Sequence, residues 1–504
     1  MTDWVKIQLQ PLGKTVEVER GTPLREVLFE HGVEFPCGGR GRCRGCKVKV
    51  LQGSLAVTPE QEQRLTPPEL AAGWRLACRC CAEGDLVLDL AQWEATILAD
   101  DTVFDFTPRE GYGVAVDVGT TTLVAQLLDL RTSRVLGVRA ELNAQAQHGA
   151  DIMSRVELAM HGAGREQLLR LIREQVERMM GELLDGWPEA RDGLRRVTLV
   201  GNTAMHHFFC GLDPEPLSHY PFEPTHDGLR TFSAPDLGWL LPGECQIQFL
   251  PCLGGFVGSD ILAGILATRM HQSQDLMVLI DLGTNGELVV GNRERLLCAS
   301  TAAGPAFEGA RISMGMRAAT GAIAEVTVEQ GQLRSRVLGQ ADPRGICGSG
   351  LVDAVAAGLE LGWIQSSGKL DHDGQTMTIL PPVMVTQADV REVQLAKGAI
   401  AAGLRILLER WPAAMGEVKR VYLAGAFGNY INRQSARRIG LFEFEPARVE
   451  PAGNTALLGA KLALFDPAGD GNTYARLRSL VEHVSLSADP RFQEIYMDAL
   501  RFPA

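Results

Sequence analysis

The sequence predicts an α+β domain followed by a larger α/β domain with two lobes, and two observations carry this prediction. Residues 5–19 (VKIQLQPLGKTVEVE) alternate apolar and polar side chains about a turn, and a helical stripe and a glycine-rich loop with three cysteines follow them. Further along, two strand–turn–strand units of one design end their first strands at Asp117 and Asp281. The first pattern is typical of a small sheet packed on a helix, and the second indicates a duplicated lobe.

Length and composition restrict the class of protein. A chain of 504 residues exceeds the usual size of one hydrophobic core, so several domains are expected. Its 45% hydrophobic and 22% charged residues are typical of globular proteins, and the formal charge of -12 disfavours nucleic acid as a partner. MTDWVKIQLQ lacks the apolar core of a signal peptide, and the apolar run at 253–268 is interrupted by Asp260 and too short to span a membrane. We therefore expect a cytoplasmic protein without a membrane partner, in which cysteines serve metals or catalysis more often than disulfides.

Composition shifts divide the chain into five expected segments. Residues 98–110 (LADDTVFDFTPRE) are acidic and contain a proline, as linkers do. The segments are an N-terminal domain (1–97), this linker (98–110), the first lobe with a middle region (111–270), the second lobe (271–468) and a C-terminal tail (469–504).

The N-terminal domain has the element order of a β-grasp fold. After the hairpin, PLREVLFEHG places Leu24, Val27 and Leu28 on one helical stripe that Gly32 ends. Two further strand candidates, KVKVLQG and GDLVLDL, come after the cysteine loop. This order predicts a β-grasp domain with the cysteine loop held against its sheet.

The loop CGGRGRCRGC has the cysteine spacing C-x5-C-x2-C, formed by Cys37, Cys43 and Cys46. A binuclear iron-sulfur cluster needs four thiolates, and a tight loop can supply three of them while one returns from a distant strand. The glycines let the loop wrap the inorganic sulfides with backbone N–H groups and without Cβ clashes. Zinc would prefer two C-x2-C pairs, of which the loop has one, and a redox dithiol is the other alternative. The segment RLACRCC offers three candidates for the fourth ligand, Cys78, Cys80 and Cys81.

This cysteine pattern, together with R-L-A-C at 75–78, resembles the 2Fe-2S ferredoxins of the adrenodoxin-like kind. In that family the last ligand is the first cysteine after the Leu-Ala pair, which is Cys78 in this chain. Cys80 and Cys81 depart from the family pattern and make the assignment testable. The resemblance implies a 2Fe-2S cluster held by Cys37, Cys43, Cys46 and Cys78.

Basic residues crowd the cysteine loop of this otherwise acidic chain, and two interpretations stay open. In the first, they compensate the negative charge of an anionic cluster, and the lysines lie on a solvated strand face. In the second, they form a cationic rim that steers an acidic partner protein to the cluster. In the second case, association weakens with salt. The residues are Arg40, Arg42, Arg44, Lys47 and Lys49.

The second domain opens with a buried strand, VAVDV, that ends at Asp117 and turns into LVAQLL. Such a turn can aim backbone N–H groups and hydroxyls at a phosphate, and the aspartate can hold a magnesium ion or its waters. MVLIDLGTNGELVVGN repeats the design around Asp281, which predicts two like lobes facing each other across a nucleotide, against the alternative of two unrelated hairpins. The turn residues are Gly119, Thr120, Thr121 and Thr122 in the first copy and Gly283, Thr284 and Asn285 in the second.

These turns resemble the phosphate-1 and phosphate-2 loops of the superfamily of acetate and sugar kinases, Hsp70 and actin. The resemblance implies a two-lobed ATPase of RNase H-like fold that binds ATP and Mg2+. It also implies a glycine-rich adenosine motif after a strand, and RVYLAGAFGNYIN fits through Gly425 and Gly428. GICGSGLVDAVAAGLELG offers a further turn, which either cradles phosphate at a helix N-terminus or only caps the helix. The residues of that turn are Gly348, Ser349 and Gly350.

A 2Fe-2S domain fused to this ATPase fold resembles the reductive activators of corrinoid proteins, and the resemblance spans essentially the whole chain. It rests also on NAQAQHGADIMSRV, GNTAMHHFFCGLDP, DLGTNGE and AGAFGNYIN. It implies ATP-dependent transfer of a low-potential electron from the cluster to cobalt(II) of a corrinoid (cobalamin-binding) protein, which regenerates cobalt(I) in a methyltransferase system. It further implies an upstream low-potential electron donor and a homodimer.

Under this resemblance Asp117 and Asp281 are the catalytic residues, because they position magnesium and water. The two turns hold phosphates, and Gly425 and Gly428 admit adenosine. The alternative is a small-molecule kinase of the same superfamily with an accessory iron-sulfur domain. That alternative needs a general base for a substrate hydroxyl, and the sequence identifies no residue in that role.

Overall fold

The computed structural model describes residues 3–10, 12–29, 31, 33, 46–65, 67–90, 104–149, 151–241, 244–283, 285–466 and 472–503. The chain forms two compact units. One contains Met1–Thr96, Ala146–Ser154 and Pro305–Val393, and the other contains Ile97–Gln145, Arg155–Gly304 and Gln394–Ala504. Among the described residues, no helix combines the length and apolar character that a membrane span requires. Several residues singled out in the sequence lie outside the described ranges: Cys37, Arg40, Arg42, Cys43, Arg44 and Thr284.

The N-terminal part forms a five-stranded mixed sheet packed on a helix. Its elements are β1 (Trp4–Gln10), β2 (Lys14–Glu19), α1 (Leu24–Phe29), β3 (Lys47–Gln52), α2 (Pro59–Arg64), α3 (Pro67–Ala71), β4 (Trp74–Leu76) and β5 (Leu86–Leu90). The strand order is β2-β1-β5-β3-β4, with β1 antiparallel to β2 and parallel to β5. Ile7 and Leu9 of β1 share a core with Leu24 and Leu28 of α1, as the alternating pattern requires. The predicted hairpin, helix and two later strands are confirmed, while β4 is too short to show a pattern.

The first lobe is built on a six-stranded sheet. Its elements are β6 (Tyr112–Val118), β7 (Thr122–Asp129), β8 (Val135–Leu142), α4 (Ile152–Ala159), α5 (Gly164–Asp185), α6 (Pro188–Asp192), β9 (Leu194–Val200), α7 (Thr203–Cys210), β10 (Arg230–Ser233), α8 (Ala234–Leu237), β11 (Gln246–Phe249) and α9 (Ser259–Thr268). The strand order is β10-β11-β9-β6-β7-β8. β6 to β8 form an antiparallel meander, and β9 pairs parallel with β6.

The remaining chain forms a second six-stranded sheet and an inserted segment. The elements are β12 (Met277–Leu282), β13 (Gly286–Gly291), β14 (Leu296–Thr301), β15 (Ala322–Glu329), β16 (Gln332–Val337), β17 (Gly345–Ile346), α10 (Gly348–Glu360), β18 (Thr376–Leu380), β19 (Val383–Thr386), α11 (Gln387–Arg410), β20 (Arg420–Ala424), α12 (Gly425–Tyr430), α13 (Arg433–Arg438), β21 (Val449–Gly453), α14 (Thr455–Leu464), α15 (Asn472–Leu480), β22 (Val481–His483) and α16 (Phe492–Ala499). The second sheet has the order β21-β20-β12-β13-β14-β22. The inserted strands form the small sheets β16-β15-β17 and β18-β19, which belong to the unit that contains the N-terminal part.

The two six-stranded sheets share one design, which confirms the predicted pair of like lobes. In each, an aspartate near the end of a central strand faces a parallel neighbour: Asp117 pairs with Val200, and Asp281 pairs with Ala424. A glycine follows the neighbour in each case, at Gly201 and Gly425. In both sheets, therefore, the aspartate lies beside the last residue of a parallel strand and the glycine that follows it.

Helices α9 and α14 pack on each other and on the sheets of both lobes. α14 contacts β6 and β9 of the first sheet, and α9 contacts β12 of the second. A Cβ atom at Gly459 of α14 would lie 2.2 Å from the carbonyl oxygen of Ala263, so only glycine allows this approach. The segment expected as a C-terminal tail also contributes structure, since β22 pairs with β14 at the edge of the second sheet.

Lys397 on α11 is a buried charge, with 1% of its surface exposed. Its Nζ donates a hydrogen bond to the carbonyl oxygen of Arg501 and lies 5.2 Å from the ring centroid of Phe502. No carboxylate of the described residues forms an ion pair with it. Burial therefore lowers the pKa of Lys397 to about 8.

This burial gives a pH dependence of stability. The folded chain releases the Lys397 proton near pH 8 and the unfolded chain near pH 10.5, so between these values the unfolded state binds more protons. The cost of burying the charge is complete below pH 8 and is relieved as pH rises. We expect Lys397→Met to be more stable than wild type at pH 7, with an advantage on the order of 1 to 3 kcal/mol that shrinks towards pH 10.5. Urea unfolding of both proteins across this range measures it, and a constant difference would contradict it.

Candidate functional site

The structure brings the two predicted aspartates together. Asp117 on β6 and Asp281 on β12 are both half-buried. Burial raises the pKa of Asp281 to about 7, and the negative charge of Asp117 adds to the rise. Burial also raises the pKa of Asp117 to about 6. The Asn454 amide lowers this pKa in part, because it donates a hydrogen bond of 3.0 Å to Oδ2 of the carboxylate. The two lobes therefore present their aspartates to each other.

Two further carboxylates, Asp260 and Glu287, join them. Asp260 lies in the first turn of α9, and Glu287 on β13 pairs with Asp281 in the antiparallel ladder. Burial, then repulsion by Asp281 and Asp117, raises the pKa of Asp260 to about 8. Burial, then repulsion by Asp260 and Asp281, raises the pKa of Glu287 well above its ordinary value. We name these four residues the carboxylate cluster.

The carboxylate cluster fits a hydrated magnesium ion. No lysine or arginine is among the described neighbours that shift the four pKa values, so the protein itself leaves the repulsion unneutralised. Mg2+ keeps several of its waters and binds through one or two carboxylates together with substrate phosphates. Within the described ranges, no group of three or more carboxylate, imidazole or thiol side chains is arranged to hold a metal ion.

Side chains from three segments hold the first turn, Gly119–Thr122. Asn143 donates a hydrogen bond of 2.8 Å to the carbonyl oxygen of Gly119, and Asn202 donates one of 2.7 Å to the hydroxyl of Thr120. The fully buried Arg155 donates to the carbonyl oxygen of Thr120 at 2.6 Å. With its backbone oxygens occupied in this way, the turn can present N–H groups and hydroxyls to an anion.

The second turn and the adenosine motif meet at Asp281. The N–H of Gly283 donates to the carbonyl oxygen of Asn285 at 3.1 Å, and the Asn285 side chain is hydrogen-bonded to Glu287. Gly425 has a φ of +83°, and a Cβ atom there would lie 2.9 Å from Oδ1 of Asp281. Glycine is thus required for the chain to pass the carboxylate. Gly428 lets α12 pack on β20, because its Cβ would come within 3.1 Å of the Leu423 carbonyl carbon.

The Gly348–Gly350 turn at the start of α10 belongs to the other unit. The hydroxyl of Ser349 donates to the carbonyl oxygen of Ala324 at 2.8 Å. A Cβ atom at Gly350 would lie 2.2 Å from the carbonyl oxygen of Ile323, so this glycine lets α10 pack on β15. These contacts give the turn a packing role, and its role towards phosphate stays a prediction.

Two of the predicted cluster ligands, Cys46 and Cys78, lie within the described residues. Cys46 is buried directly before β3, and Cys78 is half-buried in the short turn after β4. The N–H of Ala77 donates to the carbonyl oxygen of Cys46 at 3.0 Å, so the two cysteines sit on backbone segments that touch. This proximity fits two ligands of one cluster.

The other two candidates for the fourth ligand, Cys80 and Cys81, have different surroundings. The Cys80 thiol donates to the carbonyl oxygen of Leu76 at 3.4 Å and accepts from the Gln61 amide at 3.7 Å. Burial raises the pKa of this thiol to about 11, which disfavours the thiolate that iron requires. Cys81 is exposed and forms an isolated β-bridge with Pro23.

Sequence reasoning missed Asp260, Glu287 and the asparagines around the first turn. Asp260 interrupts an apolar run of the sequence, and a charged residue inside a buried run is itself a signal of function. Glu287 follows the second turn in DLGTNGE and carries the same signal. Asn454 donates to Asp117, 337 residues away in sequence, and no local pattern reveals such a pair.

Family models match three consecutive parts of the chain. Residues 275–504 match the model described as the C-terminal domain of RACo, the ASKHA domain. Residues 112–273 match the RACo middle region, and residues 7–83 match the 2Fe-2S iron-sulfur cluster binding domain. These matches confirm the predicted fold class, a β-grasp 2Fe-2S ferredoxin domain followed by a two-lobed ATPase fold.

Relatives extend the similarity over most of the chain. The corrinoid activation enzyme RamQ of Eubacterium limosum is 34% identical over 438 residues, which cover 80% of this chain and 73% of the relative. The Co(II) methylated amine-specific corrinoid protein reductase of Methanosarcina barkeri is 27% identical, covering 78% and 77%. A solved structure of a reductive activator for corrinoid, iron-sulfur protein is 25% identical with a TM-score of 0.70, covering 99% of this chain and 98% of that one.

Proposed function

This chain belongs to the family of reductive activators of corrinoid proteins, and we propose that it returns a corrinoid protein from cobalt(II) to cobalt(I) at the expense of ATP. The observation that carries the proposal is the presence, in one chain, of a 2Fe-2S domain and a duplicated lobe pair whose carboxylates meet. The two relatives described above are named for their action on corrinoid proteins, and each is similar to this chain over more than three quarters of its length. The proposal includes a cytoplasmic location, on the N-terminal sequence and the short apolar run at 253–268, and a homodimer, by resemblance only.

ATP is proposed to bind between the lobes. Asp117 and Asp281 would hold a hydrated magnesium ion, which would neutralise negative charge on the phosphates of the nucleotide. The two turns bind the phosphates through Thr120, Thr121 and Thr122 in one lobe and Thr284 and Asn285 in the other. Gly425 and Gly428 let adenosine approach the backbone. Because no lysine or arginine is among the described neighbours that act on the four carboxylates, a nucleotide without its magnesium ion would be a poor ligand.

The electron leaves from the N-terminal domain. Cys37, Cys43, Cys46 and Cys78 hold a 2Fe-2S cluster, which supplies one-electron chemistry near about -400 mV. Cobalt(II) accepts one electron to become cobalt(I), and an upstream low-potential donor must then return one electron to the protein. Each 59 mV by which the cobalt couple lies lower costs about 1.4 kcal/mol. Nucleotide can supply this only if the ATP-bound form of the protein binds one cobalt state better than the other.

Anaerobic assay of the purified protein tests the proposal. Protein, a low-potential chemical reductant and a cobalt(II) corrinoid protein are combined with or without ATP, and the visible spectrum of cobalt(I) is followed. We expect cobalt(I) to form only in the complete mixture, and ATP hydrolysis to be faster when the corrinoid protein is present. A mixture without this protein controls for direct reduction. If the rate of ATP hydrolysis is unchanged by the corrinoid protein and a phosphorylated small molecule accumulates, the protein is instead a kinase.

A further inference from the structure

Three asparagines from separate segments make the same pair of hydrogen bonds around Asp117 and the first turn. In each, Oδ1 accepts a backbone N–H of the asparagine's own segment: from Gln145 for Asn143, from Met205 for Asn202 and from Leu457 for Asn454. In each, Nδ2 donates to Asp117 or to the first turn. The acceptors are the Gly119 carbonyl for Asn143, the Thr120 hydroxyl for Asn202 and the Asp117 carboxylate for Asn454.

The direction of these amides is fixed. A backbone N–H can only donate, so the atom that accepts from it must be the amide oxygen. The amide nitrogen must therefore face Asp117 or the first turn. An isolated asparagine can turn its amide over, but these three would lose a local hydrogen bond by doing so. Asn202 is also the N-cap of α7 and is 7% exposed, so its environment is preset before any ligand binds.

The fixed direction of Asn202 determines what Thr120 can offer. Its hydroxyl oxygen accepts from Asn202 at 2.7 Å, and within the described part of the chain no acceptor takes the hydroxyl proton. A hydroxyl can accept and donate at once, so the proton remains free to donate. Thr120 is 8% exposed, in the turn that follows the strand of Asp117. A phosphate oxygen, which only accepts, is the group such a hydroxyl would serve.

We propose that Asn202 is a positioning residue that fixes the Thr120 hydroxyl as a hydrogen-bond donor to a phosphate of ATP beyond the α-phosphate. The inference rests on the proposed function in that the ligand is ATP. It goes beyond that function by assigning a role to a residue that need not touch the nucleotide. A change at Asn202 that adds no charge therefore acts only through the proton of Thr120.

Asn202→Asp reverses the hydrogen bond. Aspartate caps a helix as well as asparagine, so α7 keeps its N-cap, but the side chain now accepts and Thr120 must donate to it. We expect the affinity for ATP to fall about 10- to 100-fold, the worth of a hydrogen bond to a charged group, and the affinity for AMP to change far less. Thr120→Val removes the hydroxyl and should show the same loss. Calorimetric titration of ATP, ADP and AMP into each variant measures it.

A double-variant cycle decides whether the two residues act as one unit. If Asn202 works through Thr120, the neutral variant Asn202→Ser, which keeps the cap but is too short to reach Thr120, adds little further loss in a Thr120→Val background. Losses that add in full, or that are equal for AMP and ATP, would overturn the inference. Asn202→Asp is left out of the cycle, because its negative charge repels a phosphate whichever residue occupies position 120. Because the cycle needs no corrinoid protein, it is independent of the reductase assay. A wild-type chain that bound no nucleotide would overturn the proposed function and this inference together.

Discussion

Replacement of Asp281 by asparagine is expected to lower the rate of ATP hydrolysis by about 100- to 1000-fold and, at the same time, to raise the thermal stability of the protein. The carboxylate repels three neighbours in the carboxylate cluster, and the protein offers it no positive partner among the described residues. An amide of the same shape removes this repulsion. It also removes a charge that magnesium needs.

Measuring both the ATPase rate and the thermal stability distinguishes a role of Asp281 in function from a role in folding. Asp275→Asn makes the same chemical change at an exposed position two residues before β12 and should leave both quantities unchanged. ATPase rates of the three proteins at saturating magnesium, and their melting temperatures without magnesium or nucleotide, provide the comparison. An Asp281→Asn protein that is both inactive and less stable would show that Asp281 is structural, and one that keeps more than a tenth of the activity would remove it from the site.

Replacement of Cys78 by serine is expected to abolish binding of the iron-sulfur cluster, whereas Cys80→Ser and Cys81→Ser should keep it. Cys78 lies on the segment that contacts Cys46 through the Ala77 N–H. Cys80 points into the core as a neutral thiol that donates to Leu76, and Cys81 lies on the bridge to Pro23. Thiolates are what iron requires, so neither alternative is prepared to bind.

Iron content and the EPR signal of the reduced protein measure this directly. The three single variants are matched, since each removes one sulfur from the same short segment. Loss of the cluster in Cys80→Ser alone would reverse the assignment of the fourth ligand. Retained ATP hydrolysis in Cys78→Ser is also expected, because Asp117, Asp281 and the turns that follow them belong to the other compact unit.

The sequence reveals the parts of this protein whose signal is local. The alternation at 5–19 and the runs that end at Asp117 and Asp281 each require only a strand and its turn, and the structure confirms all three. The sequence predicts two members of the carboxylate cluster, Asp117 and Asp281. It does not predict Asp260 and Glu287, because strand register and the packing of α9 bring them to the site. Asn454 could not be found, since its partner is set by the crossing of α14 over the first sheet. β22 is three residues long, and the pairing that makes it a strand comes from β14.

The contact between α9 and α14 has a mechanical consequence. α9 follows the last strand of the first lobe but contacts β12 of the second, and α14 follows β21 but packs on β6 and β9. Each helix also begins at the carboxylate cluster, α9 with Asp260 and α14 behind the Asn454 cap. The helices touch where Gly459 meets Ala263, without a side chain between them. The two backbones are therefore in direct contact, and we expect any rotation of one lobe relative to the other to turn about this crossing, because no side chain there can take up the motion.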